Sequence, residues 1–245
     1  MKISSSVRYT IKQFINYFLS SYGIFSTYTL DQYVNDNLND CEITNFYLPF
    51  TIAYGTSKLC LLFEDFETSY AIKIPLYHSM NRTAQREYIT QVKSSYKNGV
   101  YPDFDDEENL CKREADIYAD ADEYGIGIYF AAEERIMTYQ GIPVYAQERL
   151  METYYDSERY CDPVDEDLNA EIEEVILEIG DYKELDEFLE NRRFVADLYI
   201  QAGGDFKNIL YYIVEQGIDD LHNENIGYDC YGHAKLMDYS GFRCA

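Results

Sequence analysis

The segment Gly217-Ile218-Asp219-Asp220-Leu221-His222-Asn223-Glu224-Asn225-Ile226-Gly227, continuing to Lys235-Leu236-Met237-Asp238-Tyr239-Ser240-Gly241-Phe242, constrains this chain more than any other. Asp220, Asn225 and Asp238 stand at fixed intervals around two short apolar stretches that read as a β-hairpin. Turns favour Asp and Asn, which explains each residue separately but not their joint spacing. Two carboxylates and an amide carbonyl are hard oxygen ligands, suited to Mg²⁺ and to orienting a hydroxyl.

The rest of the chain reads as helices, then strands, then helices. Val7, Ile11, Phe14, Ile15, Phe18 and Leu19 recur at helical spacing, predicting an amphipathic helix near 7–22, with a second near 29–38. Three strands are expected at 50–54, 58–63 and 69–74, separated by Gly55-Thr56-Ser57 and Glu64-Asp65-Phe66-Glu67. Residues 78–108 read as an insertion, helical from Thr83 to Tyr96 and ending in an acidic loop. A helix from Asn109 to Tyr124, closed by Gly125, precedes strands at 128–131, extending into 135–138, and at 143–147. Gln140-Gly141 forms the turn between the last two.

Residues 152–190 are dense in Asp and Glu, against only Arg159 and Lys183. Leu168, Ile172, Val175, Ile176 and Ile179 share one helical face there, so the charge is the solvated side of packed helices. Further helices fit Leu185–Ile200 and Phe206–Gln216. This order is α+β, with three parts: a helical N-terminal extension at 1–48, a β-rich lobe at 49–148 containing the insertion, and an acidic helical lobe at 149–245.

The net charge of −25 opposes binding to nucleic-acid phosphates and to anionic membranes. It fits a soluble cytoplasmic protein, or an acidic face that covers the basic surface of a partner. No apolar run approaches the ~20 residues that span a bilayer. The six cysteines are scattered without a CxxC pair, as expected for free thiols in a reducing compartment. Twenty-seven tyrosines and no tryptophan supply aromatic area with a polar tip.

Four stretches, in chain order, resemble the protein-kinase-like fold. Ala71-Ile72-Lys73 is similar to the strand carrying the phosphate-binding lysine. Cys111-Lys112-Arg113-Glu114-Ala115-Asp116 is similar to the helix whose Glu pairs with it, with Glu87 a rival. Gln147-Glu148-Arg149-Leu150 is similar to the hinge whose backbone holds adenine. Asp220 to Asp238 resembles the catalytic loop and metal-binding Asp, and Asp220-Leu221-His222 resembles the aminoglycoside-phosphotransferase branch, His222 supporting the loop.

The resemblance implies a two-lobed kinase-like fold that binds ATP and Mg²⁺. Lys73 and Glu114 would position phosphates, Gly55 and Lys58 would approach them, and Gln147 with Glu148 would line the adenine site. Asp220 would orient the attacking hydroxyl, and Asn225 with Asp238 would hold Mg²⁺. The chain departs from the family at a poor glycine loop, where Gly55 stands alone, at Ile218 in place of a His, and at Asp238-Tyr239-Ser240, where Gly241 comes one place late. No activation segment or Ala-Pro-Glu motif follows. The implied C-lobe is therefore truncated, distantly similar to the protein kinase of T7-like bacteriophages, and phage or mobile-element origin is the matching expectation. Two functions follow: a phosphotransferase acting on a protein Ser or Thr hydroxyl, or a non-catalytic acidic inhibitor or decoy that binds a basic partner such as a nuclease.

Overall fold

A computed structural model describes residues 3–38, 50–55, 57–63, 70–77, 109–150, 198, 200–218 and 225–239. The expected insertion with Glu87, the acidic helices of 152–190, Asp220 and His222 lie outside the described residues. The fold is mixed helix and antiparallel sheet, as the order of elements predicts. No helix among the described residues is long and apolar enough to cross a membrane. The chain divides into two compact units, one of residues 1–113 and 133–147, the other of 114–132 and 148–245.

The first unit begins with α1 (Ser5–Tyr22) and α2 (Thr27–Leu38). Ser4 caps α1 by accepting the Val7 amide at 3.2 Å. Ser26 and Thr29 exchange bonds at the start of α2, the Ser26 amide donating to Thr29 and the Thr29 amide to Ser26. The apolar stripe of α1 is buried from Val7 to Tyr22. Phe18 stacks on Phe25 with ring centroids 4.4 Å apart.

The sheet contains β1 (Phe50–Tyr54), β2 (Lys58–Phe63), β3 (Tyr70–Pro75), β4 (Glu133–Tyr139) and β5 (Ile142–Glu148), in the order β1-β2-β3-β5-β4. Side chains alternate across a strand, so one face can be apolar and the other polar. Leu59, Leu61, Phe63, Ile72, Ile74, Ile142, Val144 and Ala146 pack with α1 and α2 in one core. The N-terminal helices, expected as an extension, thus supply half the core of the sheet.

Gln140 and Gly141 join β4 to β5 with φ of 51° and 81°. Two successive positive φ values match the right-handed twist of a tight hairpin, and glycine takes the second without strain. Between Arg135 and Met137 the ladder shifts by one residue. This β-bulge puts Met137 opposite Val144 and Tyr139 opposite Ile142 on the core side, yet sets Glu133 opposite Gln147 on the other side. The Ile136 carbonyl accepts from Arg8 Nη1 on α1 at 2.6 Å, so the bulge is braced by the helix beneath it.

The helix α3 (Leu110–Glu123) starts at Asn109, whose Oδ1 accepts the Lys112 amide and whose Nδ2 donates to the Tyr145 hydroxyl at 3.1 Å. The helix start is thereby tied to the polar side of β5.

The second unit is built on α3 from Glu114 onward, α4 (Phe206–Glu215), and a hairpin of β6 (Ile226–Tyr228) and β7 (Ala234–Leu236). A 3₁₀ turn, Gly203–Asp205, leads into α4. Its core gathers Ile117, Ala121, Phe130, Phe206, Ile209, Ile213, Leu236 and Tyr239. The strand expected at 128–131 is instead a 3₁₀ turn, Gly127–Tyr129, followed by a parallel bridge from Phe130 to Leu236. A Cβ on Gly127 would lie 2.8 Å from the Asp122 Cα, so glycine lets the chain fold back tightly under the end of α3. Tyr129, Phe130 and Ala131 are all buried, which removes the alternation a half-exposed strand requires.

Candidate functional site

In the first unit the chemistry lies on the polar side of the sheet. Lys73 follows Ile72 on β3, and alternation turns it away from the apolar core. Its ammonium donates to Glu133 Oε2 at 3.1 Å, and the same oxygen accepts from Gln147 Nε2 at 3.0 Å. The side chains of Lys73 and Glu133 are only 2% and 0% exposed. A buried ion pair persists when its geometry is good and further hydrogen bonds satisfy its oxygens, and Gln147 supplies such a bond.

Glu133 was not among the expected site residues. Counting back from the Gln140–Gly141 turn in a regular hairpin would place Glu134 opposite Gln147. The bulge at Ile136 advances the pairing by one residue and delivers Glu133 instead. Glu114 is fully buried on α3, where a carboxylate requires a polar partner.

Gly55 and Lys58 close the β1–β2 hairpin, the Gly55 amide donating to the Lys58 carbonyl at 3.1 Å. A Cβ on Gly55 would meet nothing within 4 Å. Glycine at this position therefore relieves no crowding.

In the second unit, Asn225 immediately precedes β6 and Asp238 lies two residues after β7. The Met237 amide donates to the Asn225 carbonyl at 2.7 Å, and Ile226 pairs with Leu236. The hairpin thus brings Asn225 opposite Met237, and so close to Asp238, at its open end, away from the turn. Asp238 has φ of 54°, a left-handed conformation uncommon outside glycine, though Asp and Asn tolerate it best. Such strain persists where neighbouring contacts hold the backbone. The contacts are visible on both sides: Ala131 N donates to Leu236 O at 2.7 Å, and the buried Tyr239 hydroxyl donates to Ala131 O at 2.8 Å. An amide carbonyl and a carboxylate form a donor set that fits Mg²⁺ by its hardness.

The hairpin turn is organised by Asp229. Its Oδ1 accepts the amides of Tyr231 and His233 at 2.8 and 2.9 Å, and its Oδ2 lies 3.1 Å from His233 Nδ1. Burial opposes its charge. The amides of His233 and Tyr231, the imidazole and the Lys235 ammonium outweigh that and hold the carboxyl below the ordinary aspartate range.

Glu148 ends β5. Its amide donates to the Ala132 carbonyl at 2.7 Å, extending the ladder, while its carboxylate meets Lys235 Nζ at 2.9 and 2.8 Å. Gln147 is buried and committed to Glu133. Among the described residues, Cys60, Cys111 and Cys230 form no disulfide.

Comparison with protein-family models, curated proteins and solved structures finds no match for this chain.

Proposed function

We propose that the protein is an ATP- and Mg²⁺-dependent phosphotransferase that acts on a protein Ser or Thr hydroxyl. The observation that carries this reading is that the β6–β7 hairpin sets Asn225 opposite Met237, next to Asp238, at its open end, with Asp238 in a left-handed conformation. Lys73 on the third strand is the phosphate-binding cation, with Glu133 holding its ammonium. Asn225 and Asp238 are the Mg²⁺ ligands, and Asp220 orients the hydroxyl that attacks the γ-phosphorus. The γ-phosphoryl group passes to that oxygen, its proton is taken up at Asp220, and ADP leaves.

The test is transfer of labelled phosphate from ATP, to the protein itself or to a bacterial lysate. Loss of the general base typically costs about 10²–10⁴-fold in rate, so Asp220→Ala should fall by that much. Equal labelling by wild type and Asp220→Ala would remove Asp220 from the mechanism.

A specific observation favours a second reading. Lys73 and Glu133 are closed off from solvent as a pair, the arrangement expected of a structural ion pair in a non-catalytic relative. With a net charge of −25, such a protein would act as an inhibitor or decoy against a partner with a basic surface. Binding of that kind weakens steeply with salt.

MgATP separates the two. A ligand at about 100 times its dissociation constant raises native stability by ~2.7 kcal/mol. A thermal shift lost in both Lys73→Ala and Asp238→Ala supports the nucleotide reading. No shift at millimolar MgATP supports the decoy.

A further inference from the structure

Each strand of the β6–β7 hairpin is only three residues long. An isolated two-stranded hairpin is marginally stable in water, and a one-residue slip of register would exchange its faces. The placement of Asn225 and Asp238 therefore depends on what grips the hairpin from outside. Gln201 grips β7 at Ala234 through both amide atoms, accepting its N–H at 2.9 Å and donating to its carbonyl at 3.3 Å. Ala131 grips Leu236 and Tyr239.

Lys235 adds a charged grip. It lies between Ala234 and Leu236, pairs across the hairpin with Gly227, and stands three residues before Asp238. Its ammonium contacts both oxygens of Glu148 and lies 3.6 Å from Asp229 Oδ2. Glu148 is itself immobilised. Its amide donates to Ala132 O, and its Oε2 accepts Ala132 N at 3.2 Å. The pair is largely shielded, with side chains 13% and 24% exposed. It joins two ordered backbone segments, so it escapes the entropy cost that makes ordinary surface pairs weak.

We propose that Lys235 is a positioning residue for the Asn225–Asp238 end of the hairpin, acting through Glu148. The end of β5 and the turn at Asp229 are then linked by one ammonium, and the register that sets Asn225 beside Asp238 depends on it. What that end holds, Mg²⁺ with a nucleoside triphosphate, rests on the phosphotransferase reading. The grip itself can be measured independently.

The experiment compares the full chain as wild type, Lys235→Met, Lys235→Arg and Glu148→Gln, with two readouts. Hydrogen exchange at the Met237 amide reports closure of the hairpin. Mn²⁺ retained in the presence of ATP, counted by electron paramagnetic resonance, reports the oxygen ligands. Lys235→Met is expected to speed exchange at Met237 about tenfold relative to the amides of α4. It should weaken Mn²⁺ binding about tenfold, as loss of a group that supports metal ligands commonly does. Glu148→Gln should move both readouts the same way, and Lys235→Arg should bring both back toward wild type. Unchanged exchange at Met237 in Lys235→Met overturns the grip. Faster exchange with Mn²⁺ binding intact overturns the positioning role and leaves a purely structural one. A wild type that retains no Mn²⁺ with ATP removes the phosphotransferase reading, and the positioning role with it.

Discussion

The Lys73 ammonium is held by Glu133 Oε2 at 3.1 Å across the polar side of the sheet. The partner comes from β4, and a single inserted residue at Ile136 turns it to that side. Removing one member leaves a buried charge without compensation, which typically costs ~3–5 kcal/mol. Glu133→Ala should therefore destabilise the protein by about that amount in urea unfolding. The double variant Lys73→Met, Glu133→Leu should recover much of the loss, because it buries no charge. If the two single losses simply add in the double variant, the pair is not coupled.

The bulge makes a second prediction. Arg8 donates to the Ile136 carbonyl, and a hydrogen bond from a charged group contributes about 1.5–3 kcal/mol. Arg8→Met should cost about 1.5 kcal/mol, the lower figure because the arginine is partly exposed. Deleting Ile136 removes the extra residue itself, so a regular ladder would keep Arg135 opposite Tyr145 and Glu133 opposite Gln147. The deletion should therefore keep the Lys73–Glu133 pair but lose the carbonyl that accepts from Arg8, and cost at least as much as Arg8→Met. Chemical denaturation of the two variants checks the order, and a deletion milder than Arg8→Met would refute the account.

Asp238 separates backbone strain from ligand chemistry. A left-handed conformation costs a non-glycine residue about 1–2 kcal/mol. Asp238→Gly should leave stability unchanged or raise it, whereas Asp238→Val should lower it by about 1–2 kcal/mol or more. Both lack the carboxylate, so both should lose the thermal shift with MgATP. A glycine variant that keeps the full shift would remove Asp238 from the metal set.

Acid should loosen the hairpin through Asp229. Its folded carboxyl titrates below the ordinary aspartate value of 3.8, so the unfolded chain binds the proton first on acidification. Its stabilising contribution is complete above that ordinary value and is lost as pH falls through the lower folded one. Asp229→Asn should flatten the stability profile in this acid window, measured by denaturant unfolding at successive pH values. A profile identical to that of wild type would show that Asp229 carries no linkage.

At high pH the sign reverses for Tyr22. Burial pushes its hydroxyl up to about 12, with a hydrogen bond from Asn37 opposing the rise. The neutral form is favoured in the folded state, so its contribution is full below the ordinary value of 10.0 and is lost as pH rises through about 12. Tyr22→Phe should make alkaline unfolding less steep across that interval. Circular dichroism at fixed denaturant would read the difference.

Hydrophobic spacing alone located α1, the first three strands, the Gln140–Gly141 turn, α3 and α4 to within a few residues. These elements are set by local patterning and turn chemistry, which act over neighbours in the chain. The same patterning put Lys73 on a strand and placed a hairpin between Asn225 and Asp238. It also misread 128–131 as strand, because apolar residues buried all round do not reveal whether the backbone is extended or coiled into a 3₁₀ turn.

What the sequence determined by itself was the alternation that sends Ile72 and Ile74 to the core and Lys73 to the opposite face. What only the tertiary structure decided was the partner. Glu133 reaches that face because a bulge, braced by Arg8 from a helix 128 positions earlier, breaks the register that counting along the chain predicts. Likewise Lys235 finds Glu148, 87 positions away, because its neighbour Leu236 is hydrogen-bonded to Ala131 while Glu148 is hydrogen-bonded to the adjacent Ala132. Periodicity determines which face a side chain takes. Its partner there is settled by packing, because the bonds that brace the bulge and grip the hairpin are long-range in sequence and leave no local pattern.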